Sequence, residues 1–165
     1  MPEHDGPGRD VLERIDALQI AYIAALDRRD MAGWRACFDE AEGAYACLTE
    51  EGLQQDLPLA MMLDDNPARL ADRVRFVEEV WAGTFEPYAT RHFVQRLACA
   101  ARADGVIEVT SNLLVTYTSA RRHSEILVAG RYEDEVVLAG GAARFRRKRA
   151  ILDTVTLPRY LVYPV

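Results

Sequence analysis

His92, in the run "TRHFVQRL", is the histidine best placed to do chemistry, because it falls inside a predicted element and sits beside Arg91. An imidazole lining a curved sheet can serve as a general base, and Asp30 or Tyr117 would orient it or polarise a substrate carbonyl. The bland use of such a residue is a strand-rim histidine hydrogen-bonded to backbone or to a partner. The sequence leaves both uses open. His4 lies in a Pro- and Gly-rich lead and His123 in a hairpin loop, so neither supplies a second catalytic group.

A second cluster interrupts "AGRYEDEVVL", where apolar ends flank the charged middle Arg131 to Glu135. Glu133, Asp134 and Glu135 could be read as paired carboxylates for acid/base work. On a strand, however, neighbours point to opposite faces, so Glu133 and Glu135 share one face while Asp134 joins Tyr132 on the other. That geometry favours a polar strand face that meets another protein or the basic strand "RFRRKR", residues 144–149.

Other chemistry has no foothold. No two His share a helix face with a nearby carboxylate, as an iron or zinc site would need, and no phosphate-cradling, dinucleotide-binding or nucleophile-elbow motif occurs. The "GG" at 140 and 141 marks a hairpin turn.

The elements that must carry these residues come in two blocks. Apolar residues at 11, 12, 15, 18, 22, 23 and 26 draw one stripe on a helix ending near "DRRD". Asp30 then caps a short helix that carries Met31, Trp34 and Phe38, with Trp34 in the core. "GAYACLTE" reads as a short strand, whereas "LPLAMMLDD" could line a pocket or cover one. Asn66-Pro67 opens a further helix with Leu70, Val74, Val77 and Trp81 inward and Gly83 as its stop. Beyond Thr90 four runs rich in Val, Ile, Leu, Thr and Tyr are separated by "ADG", "ARRH" and "GG", lengths suited to antiparallel hairpins. Helices first and a meander second imply an α+β fold with helices packed on one face of a curved sheet.

Composition narrows the rest. At 165 residues the chain fits one domain, expected over residues 10–165 after a flexible lead at 1–9. A net charge of -6 argues against nucleic acid, since "RFRRKR" would have to overcome the overall repulsion. Three cysteines without C-x-x-C spacing suggest neither a disulfide framework nor zinc, and a reducing cytoplasm fits them. No stretch approaches the roughly 20 apolar residues of a membrane span, and the polar start shows no export signal.

The series "AYIAALDRRDMAGWRACF", "MLDDNPARLADRV", "TRHFVQRL", "TSNLLVTYTS", "AGRYEDE" and "FRRKRAILDTVTLP" resembles, in order and spacing, the small (beta) subunit of aromatic-ring-hydroxylating dioxygenases, the Rieske non-haem iron oxygenases. The resemblance runs from about residue 11 to the end of the sequence. It implies a cystatin-like, NTF2-like cone and a mainly structural role without catalytic residues, metal or cofactor in this chain. The large alpha subunit would hold a Rieske [2Fe-2S] cluster and a mononuclear Fe(II), fed by NAD(P)H through a reductase, often in an α3β3 hexamer. By the same resemblance Arg91, His92, Arg131, Tyr132, Asp134 and Asp153 belong to framework and subunit contacts. The match departs at Arg96, where many relatives have Asn. "LPLAMMLDDNPARLADRV", "VWAGTFEPYATRHF" and "LPRYLVYPV" look more like the small subunits of anthranilate and salicylate oxygenases than those of biphenyl or naphthalene enzymes, with anthranilate 1,2-dioxygenase as the lean. A free-standing dehydratase or isomerase of the same fold, using His92, Asp30 and Tyr117 on a small cyclic substrate, stays as the alternative.

Overall fold

The computed structural model describes residues 6–57 and 59–165. His4 and the first five residues of the expected lead lie outside the described residues, and the chain is already helical at Arg9. Helix α1 (Arg9–Arg28) buries Ile15, Leu18, Tyr22 and Leu26, the stripe that the periodicity predicts, and ends where Arg29 adopts a left-handed conformation. Asp30 accepts from the Gly33 backbone N–H at 2.7 Å and caps α2 (Met31–Ala36), which drives Trp34 fully into the core. Strand β1 (Ala44–Thr49) follows.

Two short elements fill the stretch that periodicity left unassigned: α3 (Glu50–Gln54) and the three-residue strand β2 (Met62–Asp64). Leu57, Leu59, Met61 and Leu63 are exposed there, while Met62 alone among the described residues of "LPLAMML" packs into the core. Asn66 caps α4 (Pro67–Arg75) through the Arg69 N–H, with Pro67 in the first turn, as its sequence requires. The helix then widens into a π-helical turn at Phe76–Val80 and is followed by Gly83, whose φ of 71° only glycine adopts freely.

The four later runs form β3 (Ala89–Ala101), β4 (Ile107–Thr118), β5 (Ser124–Ala139) and β6 (Ala142–Leu152), each antiparallel to the next. With β1 and β2 they make one six-stranded sheet in the order β2-β1-β6-β5-β4-β3. The sheet is mixed rather than wholly antiparallel, because β1 runs parallel to β6. The helical segment before β1 returns the chain in the direction of β6, a relation that local hairpin signals could not show. Register breaks at Arg96/Ala98, Val115/Thr116 and Glu135/Val136 add local twist and bend the long strands into a curved sheet. Its concave side holds the core, where Trp34, Tyr22, Tyr45, Tyr132, Phe38 and Phe145 are essentially inaccessible.

One close approach locks β5 to β6. A Cβ on Gly130 would collide with the Ile151 carbonyl oxygen and sit 2.9 Å from Leu152 Cα, so only glycine fits there.

Candidate functional site

Alternation along β5 separates the charged middle as strand geometry demands. Glu133 and Glu135 face outward and meet the outward side chains of β6: Arg149 reaches Glu133 at 3.1 Å and Arg147 reaches Glu135 at 3.7 Å. Arg131, on the same face, joins Glu133 at 3.0 Å and Glu50 of α3 at 2.6 Å. Arg147 and Arg149 of the basic run are therefore partnered within the chain, and Arg146 adds a contact to Glu42 at 2.7 Å.

Asp134 and Tyr132 turn inward. Asp134 lies opposite Lys148 in the β5–β6 register, and Lys148 Nζ donates to its Oδ2 at 2.9 Å. Gln19 of α1 completes the group, accepting from Lys148 at 3.1 Å and donating to Asp134 at 2.7 Å. The ammonium also sits 3.5 Å from the centre of the Tyr132 ring, 4.2 Å from Phe145 and 4.5 Å from Tyr22, an aromatic box that suits a cation. Both charged side chains are fully buried. Burial pushes Asp134 above the ordinary carboxylate range, against the pull of Lys148, and pushes Lys148 down to about 8 against the pull of Asp134. Asp134 Oδ1, Tyr132 OH and Ser111 Oγ have no hydrogen-bond partner among the described residues.

The expected dyad partner of His92 is corrected by the structure. His92 is buried on β3, and its Nδ1 lies 2.7 Å from Asp27 of α1, not against Asp30. Asp27 also accepts from the His92 backbone N–H at 3.2 Å and from Thr90 Oγ1 at 2.9 Å. Asp30 misses because the left-handed turn at Arg29 ends the helix and turns its carboxylate to α2. Tyr117 also misses: it stands opposite Thr90, and its hydroxyl donates to Glu125 at 3.3 Å. Burial alone would raise Asp27, but hydrogen bonds and charge from His92 hold it below the usual carboxylate value. His92 Nε2 is buried without a partner among the described residues.

Arg96, the departure from the resembling family, forms a bidentate pair with Asp16 at 2.8 and 3.0 Å. Asp16 and Asp27 are separated by three helical turns and so share one face of α1, while Thr90, His92 and Arg96 alternate onto one face of β3. This ladder fastens α1 along the edge strand. The Asp16/Asp27 spacing is the signal that the sequence carried for it. Arg91 and Asp153 are exposed, with the Asp153 N–H donating to the Ala129 carbonyl.

Among the described residues, no three His, Cys, Asp or Glu side chains gather as a metal ion would need. No described helix is long and apolar enough to cross a membrane.

Residues 23–159 match the family model described as ring hydroxylating beta subunit. The chain is 32% identical over 148 residues to the anthranilate 1,2-dioxygenase small subunit of Burkholderia cepacia, covering 90% of each. It superposes with a TM-score of 0.80 on the beta subunit of a candidate aromatic-ring-hydroxylating dioxygenase from Novosphingobium aromaticivorans, at 25% identity and covering 91% and 93% of the two chains. A candidate scytalone dehydratase from the same organism matches at TM-score 0.62 and 19% identity over 93% and 88%, which speaks for the shared NTF2-like α+β cone alone. The chain accordingly belongs to the ring-hydroxylating beta subunit family, and it is the beta subunit, not the catalytic one, of an aromatic-ring-hydroxylating dioxygenase that also has an alpha subunit.

Proposed function

We propose that this beta subunit serves an anthranilate 1,2-dioxygenase, holding the large subunits in an α3β3 assembly in the cytoplasm. The observation that carries the substrate class is the 32% identity to an anthranilate dioxygenase small subunit across 90% of both chains. The large subunit supplies the Rieske [2Fe-2S] cluster and the mononuclear Fe(II), and NAD(P)H supplies electrons through a reductase. Residues 10–165 act as one domain. Within it His92, Tyr132 and Asp134 are framework, being buried and tied to α1 or β6, whereas Arg91, Arg131 and Asp153 are the accessible members available for subunit contacts.

Native mass and iron content test this reading, on the chain alone and after co-expression with the large subunit. An iron-containing hetero-oligomer of equal subunit numbers that turns over anthranilate supports it. An iron-loaded, active chain without a partner overturns it.

The second reading, a free-standing dehydratase or isomerase, has the Asp27–His92 contact and the unpartnered Nε2 in its favour. Turnover of a small cyclic substrate by the isolated chain, lost in a folded His92→Ala variant, would establish it.

A further inference from the structure

The last nine residues, from Leu157 on, form neither helix nor strand, yet Val162 and Val165 are 1% and 2% exposed. What holds them is a set of tyrosine hydroxyls from three other parts of the chain. Tyr22 of α1 and Tyr45 of β1 both donate to the Val165 main-chain oxygen, at 3.0 and 3.1 Å. Tyr45 also accepts from the Val165 N–H at 3.1 Å, and Tyr88, just before β3, accepts from the Val162 N–H at 3.4 Å. Two donors thus converge on one buried main-chain oxygen, and Pro164 has no N–H to satisfy.

The manner of attachment distinguishes this segment from the rest of the core. Among the described residues, no backbone hydrogen bond outside the helices and strands joins residues 157–165 to another segment. Side chains grip its main chain instead, and its own Arg159 donates to the Glu86 carbonyl at 3.1 Å, so the segment can leave without breaking the sheet ladder or a helix. Main-chain recognition combined with apolar side-chain pockets is how proteins bind extended peptides. Tyr163 packs edge-on against Phe85 and Tyr88, at 6.0 and 6.1 Å. A surface groove of about 340 Å³, lined in part by Met31, Val77, Phe85 and Tyr163, opens beside it.

We propose that Tyr22, Tyr45 and Tyr88 form a binding site for a short apolar peptide, which the chain's own residues 161–165 occupy in cis and which accepts the same peptide in trans once they are removed. Burial keeps the Tyr22 and Tyr45 phenols well above their ordinary pKa, so they remain donors at neutral pH.

The first test uses the full chain and reads amide exchange. In Tyr45→Phe, the Val162 and Val165 amides should exchange about tenfold faster or more than in the unaltered chain, with β4 amides unchanged. Tail amides that stay as protected as those of β4 in both proteins would overturn the site. The second test uses a chain ending at Tyr160 and an N-acetylated peptide of residues 161–165. The shortened chain should melt earlier, and the peptide should restore its Tm in a concentration-dependent way, as a ligand specific for the native state must. Adding Tyr45→Phe should weaken that rescue about tenfold or more. An unshifted Tm on shortening, or a shortened chain that millimolar peptide neither stabilises nor folds, refutes the proposal.

Discussion

Replacing the buried trio Lys148, Asp134 and Gln19 tests whether it stabilises the fold or costs stability. Lys148→Met alone leaves Asp134 buried without its cation and Gln19 without its donor, a loss of about 3–5 kcal/mol by precedent for half-broken buried pairs. The triple variant Gln19→Leu, Asp134→Leu, Lys148→Met removes every group that needs a partner. Its stability should match or exceed the parent by up to about 4 kcal/mol, less the aromatic contacts of the ammonium, worth about 2 kcal/mol when desolvated. The pH dependence gives an independent check. Lys148 falls from 10.5 to about 8 on folding, so between these values the unfolded chain binds the extra proton and stability rises with pH. Lys148 thus contributes its stability above 10.5 and loses it as the pH falls through about 8, a swing of about 3 kcal/mol at roughly 1.4 kcal/mol per unit. Cys37, Cys47 and the buried tyrosines, raised by burial, act in the opposite sense above their unfolded values. Their largest cause, burial, is common to both proteins and cancels in the difference, which leaves only the smaller effects of Asp134 on Tyr22 and Tyr132 and of Lys148 on Cys37. Urea unfolding followed by circular dichroism at closely spaced pH values from 7 to 10 measures it. A parent-minus-triple difference that is flat or falls above pH 8, or a triple variant less stable than Lys148→Met, would refute the reasoning.

Asp27→Ala should destabilise the fold by about 1–3 kcal/mol, since it strips three hydrogen bonds from His92 and Thr90. Asp27 is held below its unfolded value, so its contribution is present above that value and disappears as the pH falls through the folded one; acid unfolding of the variant should be correspondingly flatter. Asp30→Ala should cost only about 1 kcal/mol, the loss of a helix cap, and leave oxygenase turnover in the assembled complex unchanged, which separates its role from that of a catalytic helper. Gly130→Ala should prevent soluble expression, because its Cβ has to displace the β6 backbone at Ile151 and Leu152; soluble, parent-like material would show that β6 yields.

Local signals read well wherever the cause is local. The stripe of α1, the caps Asp30 and Asn66, the Gly140–Gly141 hairpin and the opposite facing of Asp134 and Glu133 each follow from spacing over a few residues. What stayed hidden depends on elements meeting from far along the chain. The parallel β1–β6 pair joins residues about a hundred positions apart, and nothing in "GAYACLTE" names its neighbour. The choice of Asp27 over Asp30 turned on a single left-handed residue, Arg29. Lys148 looked like one more member of a basic stripe because burial is invisible until the opposite strand is known. Once β5 and β6 pair, the alternation of the run forces one of its cations inward, and Asp134 is the residue waiting opposite.

The inner and outer charge pairs of these two strands work as one device. Glu133–Arg149 and Glu135–Arg147 match on the convex side while Asp134–Lys148 matches on the concave side. A slip of one residue would send Lys148 to solvent and an arginine into the aromatic box, reversing every side chain of β6 at once. An enzyme of this fold needs room on the concave face for a substrate. Here Lys148, Asp134, Gln19 and the surrounding rings fill that face, and the tail seals the core beside Tyr22 and Tyr45. A subunit needs instead one sheet with one register, so that every copy presents the same surface. A triple variant that is as stable as the parent but assembles poorly with the large subunit would show that the buried pair serves that register rather than stability.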